Sequence, residues 1–401
     1  MIKAQPYKLK NTIQHYDWGT KGKHAFIPKL LNVKAEKNKP YAELWMGAHS
    51  KASSKILVDG KEIELLEAIK KYPIEMLGQA AAKKFSNTLP FLFKVLSANE
   101  ALSIQVHPSK RQAALLHEKD PINYPDPNQK IEIAIALDHL TALVGFKPLN
   151  QIIRTLRKYP EIQDWGESKI TSRTSNTLSF KKYFTQFVKK SISDAEGLNA
   201  VINKLSKSIS SKQKKSGIEK YFLKLHKKYN SDIGLLLLFF LNLVHLKKGE
   251  AIFIEPGIPH AYLKGNILEC MSNSDNVIRA GLTPKFKDIN NLLKVLTYDL
   301  ALPQILKGSK KGHSIVYKTN AEEFEIQIIT LNKKELKFEN QIGPRILLVV
   351  EGNLKFLFAN DGKNKPTALT KGDSVFLPAI LSNFKIASDM PSKFVLVSVP
   401  A

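Results

Sequence analysis

Sulfur is scarce in this 401-residue chain, which has one cysteine, Cys270, and five methionines. A lone cysteine cannot close an intrachain disulfide, so the small disulfide-stapled scaffolds are excluded. The opening Met1-Ile2-Lys3-Ala4-Gln5-Pro6 has no apolar stretch of the kind a secretory signal needs, and a reducing cytoplasm is the expected setting. Long greasy runs are missing too. The longest, Ile233 to Leu241, falls well short of the ~20 residues of a membrane-spanning helix and reads as a buried helix. Acidic residues are few: 36 Asp and Glu face 61 Lys and Arg, a net charge of +25.

What is present is core-forming material. Hydrophobic residues make up 43% of the chain and aromatics 9%, which excludes disorder and, with the length, suggests two to four folded units. The positive excess calls for either a polyanionic partner or a lysine-rich solvated surface. Between Gln151 and Asn230 stand 18 basic and 6 acidic residues, so this fifth of the chain carries about half of it. No nucleic-acid motif accompanies these lysines and no aromatics are interleaved for base stacking, which argues against a nucleic-acid partner. A basic surface can instead attract a small anionic substrate.

Four textures follow one another. From Met1 to Pro148 short apolar runs such as Leu89–Leu96 alternate with turn clusters, a β-rich pattern. Residues 149–230 change to Lys/Ser-rich sequence with helical spacing, seen in Ile152 and Leu156 and again in Tyr221, Leu225 and Tyr229, with Ser206 to Ser216 expected as a loop. The β texture resumes over 231–320 and continues through a compact final unit, 321–401. Lys248-Gly249-Glu250-Ala251-Ile252-Phe253-Ile254 is echoed by Lys371-Gly372-Asp373-Ser374-Val375-Phe376-Leu377 at a constant offset of 123, as duplication of one β unit would leave. The same offset sets Asn383 opposite His260, so whatever His260 does is not repeated in the second copy. The expected organisation is a discontinuous β domain (1–148 and 231–320), a helical insertion (149–230) and a second β domain (321–401).

Three stretches carry candidate chemistry. If Leu102–Lys110 is extended, Ser103, Gln105 and His107 share one face, because strand side chains alternate. Lys130 to Ala136 alternates as clearly, with Lys130 and Glu132 on one side and three isoleucines on the other. Glu255-Pro256-Gly257-Ile258-Pro259-His260 is a turn that delivers an imidazole straight after an apolar strand. Gln105, His107, Glu132 and His260 together make a mixed N/O set suited to zinc or a similar divalent ion. Taken singly, each histidine reads equally as a hydrogen-bonded structural residue, and Lys130 with Glu132 as a surface pair. The densest polar stretch, Leu268 to Lys285, sets Glu269 and Asp275 beside Arg279 and Lys285: carboxylates hold sugar hydroxyls, and Arg or Lys holds phosphate. A solvated loop with incidental ion pairs is the alternative, and Cys270 reads as a buried packing residue.

Tyr16-Asp17-Trp18-Gly19, Tyr41-Ala42-Glu43-Leu44-Trp45-Met46-Gly47, Gln105-Val106-His107-Pro108, Gly145-Phe146, Pro259-His260-Ala261-Tyr262 and the segment Ser274 to Lys285 occur in an order that resembles the type I mannose-6-phosphate isomerases, zinc enzymes of the cupin superfamily. The resemblance implies a mainly β fold of two cupin-type barrels (jelly rolls) with a helical insertion, one zinc ion per chain on Gln105, His107, Glu132 and His260, and a metal-free C-terminal barrel. It implies Arg279 as a catalytic residue. For the base, Glu269 is the expectation of this reading, with Lys130 as rival, since a desolvated lysine beside a metal can also accept a proton. Lys285, Ser109, Lys110, Asp275, Trp18 and Tyr262 would bind substrate. A cytoplasmic monomer acting on a phosphorylated sugar, in the supply of GDP-mannose, is the implied role; a non-catalytic sugar-phosphate-binding relative is the rival. One departure stands out. Where the family usually reads Asn-His-Lys-Pro-Glu, this chain has Asn128-Gln129-Lys130-Ile131-Glu132, and Gln129 cannot shuttle protons at neutral pH.

Overall fold

The alternation from Lys130 to Ala136 opens the longest strand of the molecule, Glu132–Phe146, and the rest of the first β unit is hung on it. The computed structural model describes residues 1–166, 170, 176–360 and 363–400. In it Glu132–Phe146 is flanked on one side by Ala251–Ile254 and Leu241–Lys247 and on the other by His260–Ser272, then Phe91–Ala98, Glu43–Met46 and Thr12–Gln14, all antiparallel. Ile104–Val106 bridges His260 to a short outer strand, Ile278–Gly281. The sheet runs as an open path from Ile305–Leu306 to Thr12–Gln14.

Period-two alternation gives this sheet two unlike faces. Ile131, Ile133, Ile135, Phe93, Val95, Leu268 and Cys270 point backward into one buried cluster with Ile346, Leu348, Phe376 and Val395 of the C-terminal unit. Those last residues belong to a seven-stranded sheet, so two sheets pack back to back across a shared apolar layer. The chain's beginning is stitched into the second sheet: Tyr7 pairs with Phe376, and the Asn11 amide donates to Ser374 Oγ. The sequence echo reappears as structure, since Ala251–Ile254 and Ser374–Leu377 are strands at the same offset. Each follows a glycine, Gly249 (φ +82°) or Gly372 (φ +90°), in the left-handed region that a side chain resists.

Helices occupy the lysine-rich stretch: Leu149–Lys158, Pro160–Trp165, Thr177–Ser193, Ala195–Ser210 and Gly217–Tyr229. Asn176 and Ser216 cap two of them with reciprocal side-chain to backbone bonds, and Asp194 caps a third. Phe180, Phe184 and Phe187 dock edge-on against Phe146 and Phe240. Two expectations need correction. The expected loop from Ser206 is helix as far as Ser210, since Leu205 and Ile209 keep the apolar face buried. Ile233–Leu241 is not one helix: only Gly234–Leu237 is α-helical, and Leu241 already pairs with Phe146 as a strand, where the sheet edge competes for its backbone.

Glu219 locks the turn before the last of these helices. Its carboxylate accepts from Tyr159 Oη (2.8 Å), Lys212 Nζ (2.7 Å) and the Ser216 N–H (2.6 Å). Burial opposes ionisation, but Lys212 and the Ser216 bonds outweigh it and hold the carboxyl down to about 2. A depressed pKa stabilises the fold above the unfolded-state value of about 4.3, and that contribution is lost as pH falls toward 2. Glu219→Ala should therefore melt several degrees below the parent protein at pH 7, with the gap closing in melts near pH 3. A gap unchanged by pH would show that the carboxylate charge is not what holds the turn.

Candidate active site

The forward face of the first sheet is where charge is buried. In register, Glu269 lies opposite both Ala134 and Lys94, and Lys94 lies opposite Trp45, so Glu132, Glu269, Lys94, Trp45 and Glu43 share one face across four strands. Glu43, Lys94, Lys130, Glu132 and Glu269 are all buried. Lys94 Nζ is 3.5 Å from Glu43 Oε2 and 3.4 Å from Glu269 Oε2, and lies over the Trp45 ring. Below this row, Ala134, Ala136, Leu140, Ala142, Val144 and Tyr262 form an apolar floor, with Trp18 half-buried against it.

At one end of the row His107, Glu132 and His260 converge, all buried, with ligand atoms within 4.8 Å of one another. His107 Nδ1 is 2.8 Å from the Asn276 carbonyl and His260 Nδ1 is 3.0 Å from the Ile258 carbonyl. A carbonyl only accepts, so Nδ1 carries the hydrogen in both rings and each Nε2 is left as a bare lone pair. Those lone pairs face Glu132 at 3.3 and 3.4 Å. Burial, reinforced by Lys130, pushes His107 down to about 4, so at neutral pH it brings no proton to share. Burial alone would protonate Glu132, but the Lys130 ammonium beside it keeps its carboxyl well below the usual range. Lone pairs aimed at an anion repel unless a cation lies among them, and His107 Nε2 is buried with no hydrogen-bond partner. The donor set thus fits a divalent metal ion, with backbone carbonyls fixing both imidazoles. The Gln105 amide lies 3.3 Å from His260 Nε2, and turning it about its terminal bond presents its oxygen to the same point.

Around this centre the other candidates fall into two groups. Glu269, Lys130, Tyr262 and Arg279 are close to it. Burial pushes Glu269 up to about 7, partly offset by Lys94. Lys130 Nζ sits 2.9 Å from Glu132 Oε1. The Tyr262 phenol donates to Glu132 Oε2 at 3.5 Å, and burial raises its pKa. Arg279 is opposite Gln105 in register and half-buried; burial lowers its pKa, and it makes no ion pair among the described residues.

The remaining candidates are further out or otherwise engaged. Asp275 binds Lys51 at 2.8 Å and His49 at 3.4 Å. Ser109 caps helix Lys110–Lys119 in a reciprocal pair with Gln112, and Lys110 and Lys285 are exposed. Of the expected 102–110 extended run only Ile104–Val106 is strand, and the capped helix begins at its last residue, Lys110. Gln129 turns its amide to Glu323 at 2.9 Å.

Sequence reasoning did not single out Lys94, Glu43, Trp45 or His49 as site residues. The signal for Lys94 was a charge inside an otherwise apolar strand. His49 is buried edge-on to Trp45.

Comparison with known proteins agrees with this arrangement. The family model for the phosphomannose isomerase type I catalytic domain matches residues 7–149. Mannose-6-phosphate isomerase of Saccharomyces cerevisiae is 38% identical over 383 residues, covering 86% of this chain and 88% of that protein. The Homo sapiens mannose-6-phosphate isomerase is 34% identical, covering 94% and 95%. A crystal structure of a mutant phosphomannose isomerase from Salmonella typhimurium superposes with a TM-score of 0.86 at 30% identity, covering 99% of this chain and 100% of that one. With a mainly β architecture, a centre built for a divalent ion and relatives aligned along nearly its whole length, the chain belongs to the type I phosphomannose isomerases.

Proposed function

We propose that this protein is a metal-dependent aldose–ketose isomerase that interconverts mannose 6-phosphate and fructose 6-phosphate, with zinc as its metal. The observation that carries the reading is the convergence of His107, Glu132 and His260 beside a carboxylic acid, Glu269, whose pKa is about 7. Isomerisation moves a proton between C2 and C1 of the open-chain sugar, and charge builds on the neighbouring oxygens as it does so. The Nε2 atoms of His107 and His260, the Glu132 carboxylate and the Gln105 oxygen would hold the zinc, which would supply Lewis-acid stabilisation of that charge.

The chain's own groups do the rest. Glu269 is the base favoured here, since a group with pKa near the working pH both takes and returns a proton. Lys130 is the rival, but its ammonium is committed to Glu132. Tyr262 keeps that carboxylate oriented and Trp18 walls the floor. Arg279, which makes no ion pair among the described residues, offers its guanidinium to developing oxyanion charge, while Lys285, with Lys110 and the helix start at Ser109, suits the phosphate, and Asp275 suits a hydroxyl. Functionally the catalytic unit comprises 1–148 and 231–320, with 149–230 as insertion and 321–401 as a second unit without metal ligands. No helix among the described residues is long and apolar enough to cross a membrane; we assign a cytoplasmic monomer that supplies mannose phosphate for GDP-mannose synthesis.

A coupled assay for fructose 6-phosphate tests the reading. Purified protein should convert mannose 6-phosphate, lose activity on chelation and regain it with zinc; undiminished turnover in metal-free protein defeats it. Arg279→Ala should lower kcat on the order of 10²-fold or more with a smaller change in KM, the signature of a contact strengthened in the transition state. An unchanged kcat would remove Arg279 from the chemistry.

A further inference from the structure

The duplicated strands allow the two β units to be compared residue by residue. In the first, Ile254, Phe253, Ile252 and Ala251 pair with Glu132, Ile133, Ala134 and Ile135. Moved by the offset of 123, the same four positions are Leu377, Phe376, Val375 and Ser374, and they pair with Arg345, Ile346, Leu347 and Leu348. Arg345 therefore occupies, in the second unit, the position that Glu132 holds in the first. Like Glu132 it is buried, 2% exposed, and it shares a face with Leu347 and Val349, which point into the second unit's own apolar core. The other corresponding ligand position has also changed: Asn383 stands for His260, and its side-chain oxygen accepts from the Asn340 N–H.

Arg345 is not satisfied where it lies. One of its terminal nitrogens donates to the Ile342 carbonyl at 2.9 Å, while the other is buried with no hydrogen-bond partner among the described residues. No carboxylate among the described residues pairs with it. Burial lowers its pKa to about 10, which still leaves it charged at neutral pH. A buried cation with an idle donor and no counter-charge is costly, and the cost falls if an anion joins it.

We propose that the C-terminal unit retains the ion position of the catalytic unit with its sign inverted: Arg345 holds a small anion, a halide or a phosphate oxygen, where the first unit's Glu132 faces a cation. The side chain replaces the metal as the fixed positive charge, so a metal is excluded there and a small anion completes the site.

The test uses the whole protein. Its melting temperature should rise saturably with chloride or inorganic phosphate, by about 2 °C at ten times the half-saturating concentration, relative to a bulky sulfonate at equal ionic strength. That anion-specific increment should vanish in Arg345→Met and Arg345→Gln. A response to chloride alone assigns a halide site, and one to phosphate alone an oxyanion site. Crystals grown in bromide should show an anomalous peak within hydrogen-bond distance of the Arg345 guanidinium, a reading that stands even if the variants do not fold. Equal responses in parent and variants, or the absence of that peak together with no specific increment, overturns the proposal.

Discussion

Glu132→Gln is expected to purify without its metal and to turn over on the order of 10³-fold more slowly or worse, while its melting curve stays cooperative. Glutamine matches glutamate in shape, so packing survives; what disappears is the one negative charge among the four candidate ligands. Lys130, 2.9 Å from that carboxylate, then faces the centre uncompensated, and the site repels a dication it formerly attracted. Several kcal/mol of charge stabilisation leave with the metal, which corresponds to about three orders of magnitude or more in rate. Metal analysis beside the coupled assay checks both halves. A variant that keeps a full equivalent of metal would show that Gln105 and the two histidines suffice and that the carboxylate has another task.

Lys94→Met should produce the largest loss of stability, on the order of 3–5 kcal/mol, because it strands buried carboxylates while leaving the volume filled. Lys94 is the cation between Glu43 and Glu269, and those two acids raise its own pKa against the opposing effect of burial. Without it the Glu269 carboxyl, already held at about 7 by burial, should titrate higher still. The deficit relative to the parent then grows as pH rises through 7 toward that higher value. Urea melts at pH 5 and pH 8 should show the smaller deficit at pH 5. Equal deficits at the two pH values would mean that packing, not charge, is what Lys94 supplies.

The grouping of His107, Glu132 and His260 is partly legible in the sequence, and the reason is local. Alternation from Lys130 to Ala136 fixes which side Glu132 takes, because a strand has only two, and the Pro-Gly turn before His260 fixes where that ring emerges. Lys94, Glu43 and Trp45 were harder. Their meaning depends on which strands lie side by side, and a run such as Phe91–Ala98, buried along its whole length, does not announce which of its neighbours is acidic. Arg345 was hidden for the same reason: it begins an apolar run, and only the pairing of Arg345 with Leu377 reveals its kinship with Glu132. Ile233–Leu241 misled because an apolar run of that length suits a buried turn of helix and a buried strand equally well.

The stitching of Tyr7 to Phe376 has a consequence for how the molecule is made. The strand Tyr7–Lys8 emerges from the ribosome long before its mate, the Asn11 and Ser374 partners being 363 positions apart. Closing so long a loop is entropically slow. The newborn protein must therefore wait, with Tyr7–Lys8 unpaired, until Phe376 has been translated.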